Sequence, residues 1–151
     1  MQNIEIRDMT DNDLTRVMEI ENSCFVAPWS IDDIRREIHD NVLANLWVIT
    51  IDNYVVGFSN YWQTFDSGTI CQIAIDEKYQ HQSLGSRLMK EIISDAYAKK
   101  VQHLTLEVRE SNKKAINFYL KHGFKIVLNK ENYYSNGENA IYMIKEVNIN
   151  V

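Results

Sequence analysis

The stretch that decides the fold runs Ile73-Ala74-Ile75-Asp76-Glu77-Lys78-Tyr79-Gln80-His81-Gln82-Ser83-Leu84-Gly85-Ser86. Its apolar, β-branched start has strand character and its polar middle reads as a short loop. From Gly85 to Lys100, Leu88, Met89, Ile92 and Ala96 recur at helical spacing. A strand that passes through a short loop into a helix presents the helix's first backbone N–H groups and the positive end of its dipole, a ready site for a pyrophosphate. Taken alone, the loop also fits an ordinary connector, because any strand-to-helix turn offers such amides.

Working outward, the flanks supply a consistent order of elements. On the N-terminal side, Thr69–Ile75 follows a polar turn at Asp66-Ser67-Gly68, and Leu46–Ile51 and Tyr54–Trp62 form two strands joined by Asp52-Asn53. Further back, Ser30 with Asp33 forms a capping box, and Ile31, Ile34 and Ile38 make the stripe of a helix. Thr10 with Asp13 signals an earlier helix carrying Leu14, Val17 and Met18, after a short strand at Ile4–Asp8. On the C-terminal side, Leu104, Leu106 and Val108 alternate with Thr105, Glu107 and Arg109. Ser111 caps a short helix that stops at Gly123, and Phe124–Leu128 and Ala140–Glu146 close the chain as strands. The fold class is α+β, or mixed α/β: an antiparallel meander leading into one βαβ-like unit.

At 151 residues, with 45% hydrophobic and 25% charged residues, the sequence is expected to form a single domain over residues 1–151 with a core of its own. It has no transmembrane run and no signal-peptide pattern at its start, so a cytoplasmic protein without a membrane role is expected. Cys24 and Cys71 show no CxxC spacing and read as reduced apolar residues. The four histidines are scattered, so no metal is expected. A net charge of −5 argues against a sequence-independent nucleic-acid partner and suits a basic target.

The loop resembles the acetyl-CoA pyrophosphate loop of the GNAT superfamily of N-acetyltransferases, Gln/Arg-x-x-Gly-x-Gly/Ala. Gln80 fills the first position and Gly85 the last, while Ser83 stands where the family usually has glycine. If that position needs a positive φ, serine carries a steric cost that glycine avoids. Three further segments resemble the RimI-like branch, the ribosomal-protein-alanine N-acetyltransferases. They are Pro28-Trp29-Ser30, then Leu106-Glu107-Val108-Arg109 with Ser111-Asn112, Phe118-Tyr119 and His122-Gly123-Phe124, and finally Asn132-Tyr133-Tyr134 ahead of the last strand.

The resemblance implies a central, mostly antiparallel twisted sheet flanked by helices, with a splayed strand pair that binds acetyl-CoA. It also implies a cofactor site formed by the backbone of Ile73, Ala74 and Ile75 and by the loop His81, Gln82, Ser83, Leu84, Gly85 and Ser86, with Asn112 on the pantetheine end. Glu107 would be the general base and Tyr119 the general acid; Trp29, Tyr133 and Tyr134 would line the acceptor groove. The acceptor implied is the N-terminal alanine of a small-subunit ribosomal protein, the enzyme acting as a monomer or weak dimer. Each side chain also has a plainer reading. Glu107 could be a solvent-facing carboxylate on an edge strand, Tyr119 a core aromatic beside Ile116 and Leu120, and Asn112 the first turn of a capped helix. Trp29 could be a hydrophobic staple over Ile34. Two other functions remain open: acetylation of small amines, and a non-catalytic acetyl-CoA-binding module.

The chemistry matches these residue types. An α-amine with a pKa near 8 is roughly one-tenth neutral at pH 7, so its attack needs a proton acceptor. A phenol of pKa about 10 stays protonated and can donate to a leaving thiolate. An amide aimed at the thioester oxygen would stabilise the oxyanion. An acetyl-Cys71 intermediate is disfavoured, because no histidine stands near Cys71 in the sequence.

Overall fold

Asp52 and Asn53 both take positive φ, 49° and 69°, the conformation a two-residue hairpin turn requires. They join β2 (Ala44–Ile51) to β3 (Tyr54–Gln63), with Ile51 opposite Tyr54. The computed structural model describes residues 2–148. Its remaining elements are β1 (Ile4–Asp8), α1 (Leu14–Cys24), α2 (Ile31–His39), β4 (Ser67–Ile75), α3 (Leu84–Ala98), β5 (His103–Arg109), α4 (Lys113–Lys121), β6 (Lys125–Lys130) and β7 (Ala140–Glu146). That is the mixed α/β order read from the sequence. Hydrogen bonding orders the strands β1-β2-β3-β4-β5-β7-β6, so β5 lies inside the sheet and is not the edge strand that the plainer reading of Glu107 assumed. The chain divides into two compact units, Met1–Trp62 with Gln72–Ile92 and Gln63–Cys71 with Ile93–Val151.

In the first unit, both expected capping boxes form. Asp33 N–H donates to Ser30 Oγ and Ser30 N–H to Asp33, each at 3.1 Å. Before α1, the Asp13 carboxylate accepts from Thr10 N–H at 2.8 Å and pairs with both Arg7 guanidinium nitrogens. Val17 and Ile20 of α1, Ile34 of α2, and Val48, Phe58 and Ala74 of the strands share one core cluster, with Trp29 packed against it. A second cluster joins Ile49, Ile51 and Val56 to Leu84 and Leu88 of α3, with Ile73 and Ile75 against it. Gly57 is wedged between these strands: a Cβ there would lie 2.5 Å from Ile75 Cδ1 and 2.7 Å from the Ala74 carbonyl oxygen.

In the second unit, α3 ends two residues before the expected Lys100. Lys100 adopts φ +62°, and Val101 N–H reaches back to the Ala96 carbonyl at 2.9 Å, a left-handed closure of the helix. Gly123, φ +91°, stops α4 as expected, with Phe124 N–H on the Tyr119 carbonyl at 3.1 Å. Phe124 is therefore part of that closure, and β6 starts one residue later than its pattern suggested. Ser67, Gly68 and Thr69 of β4 pair in parallel with His103, Leu104 and Thr105 of β5. β7 runs antiparallel to both β5 and β6, placing Tyr142 opposite Glu107 and Ala140 opposite Lys130. Among the described residues no helix is long and apolar enough to cross a membrane, and no group of three or more His, Cys, Asp or Glu side chains could hold a metal ion.

Candidate active site

The residues expected to hold acetyl-CoA belong to the first unit, apart from Asn112, which lies in the second. β4 alternates there as a strand must: Ala74 is buried in one cluster while Ile73 and Ile75 pack against the other, so the side chains are core and the backbone is what a ligand can use. The chain beyond β4 is fastened at several points. Asp76 N–H donates to the Val56 carbonyl at 2.8 Å and Tyr79 N–H to the Asp76 carbonyl at 2.8 Å. Gln80 Nε2 donates to the Ile75 carbonyl at 3.0 Å. The Asp76 carboxylate accepts from Lys78 N–H at 3.0 Å and pairs with Arg16. Burial would push its pKa up, but the Arg16 guanidinium and the Lys78 N–H hold it below the ordinary carboxylate value. Arg16 is itself locked by a 2.9 Å bond to the Val55 carbonyl and by the Tyr54 ring at 4.6 Å.

From this anchored base the loop makes two left-handed steps, φ +69° at His81 and +62° at Ser83. The Ser83 carbonyl then accepts from Arg87 N–H at 3.1 Å, starting α3. A left-handed residue costs an L side chain about 1–2 kcal/mol, so the loop spends conformational energy to point its backbone. Ser83 sits at the position where a glycine would escape that cost. Leu84 is buried in the core and fixes the helix start, while His81, Gln82 and Ser83 are exposed and Gly85 and Ser86 are half-buried. An exposed loop with positive-φ backbone leading into a helix N-terminus fits a pyrophosphate.

Trp29 precedes the α2 cap and packs against the cluster that contains Ile34, as a staple does. Its backbone N–H donates to Glu21 Oε2 at 3.1 Å, and Gln72 Nε2 of β4 donates to the same oxygen at 2.7 Å. Glu21 is wholly buried, and its other carboxylate oxygen has no hydrogen-bond partner in the structure. Burial pushes its pKa up, against the opposing pull of the Trp29 and Gln72 donors. Sequence reasoning missed this residue. The signal was present: Glu21 falls four after Val17 and seven after Leu14, on the apolar side of α1.

The proton-transfer candidates belong to the second unit. Glu107 projects from β5 with its side chain 29% exposed. One carboxylate oxygen accepts from the Tyr133 hydroxyl at 2.9 Å and the other from the Lys130 ammonium. Tyr133 meets Tyr134 edge to face at 5.1 Å between centroids. The Arg109 guanidinium lies 4.0 Å over the Tyr134 ring and bonds Glu138 at 3.2 Å. Glu138 also takes Ser111 N–H at 2.9 Å, and these donors hold its pKa down. Hydrogen bonding to Glu107 raises the Tyr133 pKa first, with burial second; burial raises that of Tyr134, with Glu107 adding to it. So Glu107 and the distant pair Tyr133 and Tyr134 form one cluster, and Lys130 joins it without having been predicted.

Tyr119 lies on the buried side of α4, 9% exposed, edge to face with Phe118 at 5.5 Å and Phe124 at 5.8 Å. Burial pushes its phenol pKa well up, with the nearby Tyr134 adding to the shift, so the hydroxyl keeps its proton at any physiological pH. Leu120, expected on the same inner side, is exposed. Asn112 requires a correction. The cap of α4 is Asn112 and not Ser111: its side-chain oxygen accepts Ala115 N–H at 3.1 Å, while Ser111 N–H goes to Glu138. As a cap, Asn112 has non-helical dihedrals, φ −83° and ψ 71°. Helical spacing therefore does not carry from it to Tyr119: Asn112 is exposed and Tyr119 buried.

Comparison with known proteins bears on the whole chain. The model of the acetyltransferase (GNAT) family matches residues 14–124. The ribosomal protein bS18-alanine N-acetyltransferase of Haemophilus influenzae is 38% identical over 135 residues, covering 87% of this chain and 90% of that protein. The corresponding Escherichia coli enzyme is 30% identical over 141 residues, covering 91% and 94%. Among solved structures, the ribosomal-protein-S18-alanine N-acetyltransferase from Escherichia coli superposes with a TM-score of 0.89 at 28% identity, over 99% of this chain and 97% of that one. Ard1 from Thermoplasma volcanium gives a TM-score of 0.86 at 30% identity, over 95% and 97%.

Proposed function

The chain belongs to the acetyltransferase (GNAT) family, and from that premise we propose that its acceptor is the N-terminal alanine of a small-subunit ribosomal protein, modified in the cytoplasm. It is an acetyl-CoA-dependent N-acetyltransferase. The observation that carries the acceptor reading is the direct bond between the Tyr133 hydroxyl and Glu107. It joins the residue read as the base to an aromatic read as part of the acceptor groove. The curated relatives named for alanine N-acetylation of bS18 support it, as does the acidic balance of the chain, which suits a basic ribosomal target.

In this reading the loop and helix start His81–Ser86 and the backbone of Ile73–Ile75 hold acetyl-CoA, and Asn112 contributes through the helix start that it caps. Glu107 accepts a proton from the amine, through one water if the carboxylate keeps its present partners. A carboxylate has about four lone-pair sites, so two donors leave room for that water. The amine nitrogen bonds the thioester carbon, the carbon–sulfur bond breaks, and the departing thiolate takes a proton from Tyr119. Loss of a proton from Glu107 to solvent and regain of one by Tyr119 restore both residues. Trp29, Tyr133 and Tyr134 present rigid surface to the peptide.

Release of coenzyme A with an N-terminal alanine peptide, set against spermine as acceptor, tests this reading. We expect turnover of the peptide and little of spermine. The reverse preference would replace it with small-amine acetylation. Binding of acetyl-CoA with transfer to neither acceptor would point to a binding module.

A further inference from the structure

Lys130 meets Glu107 directly, and the reaction scheme above makes no use of it. It is the last residue of β6, and its ammonium lies against Glu107 Oε2. The same ammonium lies 5.2 Å from the ring centroid of Tyr133 and 5.0 Å from that of Tyr142. Tyr142 is the residue opposite Glu107 in the β5–β7 register. A carboxylate and two ring faces all favour the cationic form. The Lys130 pKa is raised accordingly, the hydrogen bond to Glu107 being the largest cause, so the charge persists through the neutral range. The side chain is 34% exposed, which makes it a fixed cation at the surface of the cluster and not a core residue.

Counting charge around Glu107 gives an unexpected balance. Glu107 contributes one negative charge and Lys130 one positive. The phenols Tyr133, Tyr134 and Tyr142 are neutral at pH 7, and Arg109 is matched by Glu138. The cluster that must take a proton from the acceptor therefore carries no net negative charge. An ammonium arriving at Glu107 must share the carboxylate with Lys130; a neutral amine need not. At pH 7 roughly a tenth of a peptide α-amine of pKa about 8 is neutral, against about one in 2,500 for a lysine-type amine of pKa about 10.4.

We infer that Lys130 determines the acceptor class: as a fixed counter-cation on Glu107 it selects weakly basic amines, peptide α-amino groups, over strongly basic alkylamines such as lysine side chains and polyamines. The inference rests on the reading of Glu107 as the base, and it assigns to Lys130 a role in specificity that a merely structural ion pair would not have.

The test compares wild type, Lys130→Gln and Lys130→Arg on two peptides that differ only in the acceptor. One has an N-terminal alanine; the other is blocked at its N-terminus and carries a single lysine. At about pH 9, where the α-amine is mostly neutral and the lysine amine still mostly cationic, the ratio of KM for the lysine peptide over KM for the alanine peptide should fall by about tenfold in Lys130→Gln, as loss of one charge near a bound ammonium favours that form by about one pKa unit. Most of that change should come from a lower KM for the lysine peptide. The rise of kcat with pH on the alanine peptide should move to higher pH in Lys130→Gln, because a net-negative cluster holds the bound ammonium form longer. Lys130→Arg, which restores the cation, should keep the wild-type ratio. An unchanged ratio in Lys130→Gln with alanine-peptide turnover retained overturns the assignment and leaves the proposed reaction standing. A ratio that falls equally in Lys130→Arg also overturns it, because shape and not charge would then be responsible. Wild type that binds acetyl-CoA but acetylates neither peptide overturns the reaction and the assignment together. Thermal unfolding of each variant guards the comparison, with Lys130→Met as the replacement should Lys130→Gln fail to fold.

Discussion

The candidate residues of the two units, taken as a backbone half and a side-chain half, are built from different materials. Residues 73–86 offer mainly backbone: the strand Ile73–Ile75 packs its side chains into the core, and the exposed loop passes through left-handed residues at His81 and Ser83. The cluster around Glu107 acts through side chains: a carboxylate, an ammonium and phenols from three strands and a loop. A backbone site accepts many side chains so long as the dihedrals can be met, so serine can stand where glycine is usual. A side-chain site loses its chemistry with a single atom. Substitutions should therefore be graded in the first half and abrupt in the second.

The largest expected effect is in the side-chain half. Glu107→Gln should lower kcat by about 10²–10⁴-fold with acetyl-CoA affinity retained, checked by steady-state kinetics and calorimetric titration. An unaltered kcat would make the two halves alike in tolerance. Tyr119→Phe should cost about 10²-fold in kcat while leaving thermal stability near wild type, because the ring that packs on Phe118 and Phe124 remains. Loss of stability with kcat intact would return Tyr119 to a purely structural role.

In the backbone half the effects are smaller. Gly57→Ala forces a Cβ against Ile75 and the Ala74 carbonyl. It should destabilise by about 1–3 kcal/mol, read in denaturant titration, and weaken acetyl-CoA binding because the displaced strand is the one that carries Ile73–Ile75. Glu21→Gln separates burial from charge. The Glu21 pKa is raised in the folded state, so the folded protein binds more protons than the unfolded chain between the unfolded value and the raised one. Wild type then loses stability as pH climbs through that window. Glu21→Gln, which cannot ionise, should gain relative to wild type in thermal unfolding as pH rises above the ordinary carboxylate value. The smallest effect belongs to Ser83→Gly, which relieves a left-handed strain built into the fold and should raise folding stability by about 1 kcal/mol or less in thermal unfolding, with acetyl-CoA affinity near wild type. The roughly 1–2 kcal/mol gained is partly offset by glycine's greater entropy in the unfolded chain.

Much of the fold was legible because its signals are local. Asp52-Asn53 tolerate positive φ and so mark the hairpin; Ser30 with Asp33 marks a helix start; Gly123 marks a helix stop. What misled were choices between near equals settled by tertiary structure. Ser111 and Asn112 are both good caps, and Glu138, which takes the Ser111 N–H, leaves the capping to Asn112. Lys100 continues a helical pattern, yet the chain must turn left-handed there to enter β5. The loop half of the site was legible as a motif because backbone geometry follows from strand, loop and helix in sequence order. Lys130 was not, because it lies 23 residues from Glu107 and reaches it only through the pairing of β5, β7 and β6. Glu21 was legible in principle, as an acid on an apolar helical face.

The most direct test is a single-turnover measurement with acetyl-CoA already bound, adding an N-terminal alanine peptide to wild type and to Glu107→Gln. We predict rapid acetylation of the peptide's α-amine by wild type and a transfer step slowed by about 10²-fold or more in the variant, with equal acetyl-CoA occupancy in both. Transfer at the same rate in both proteins would contradict the assignment of Glu107 as the base.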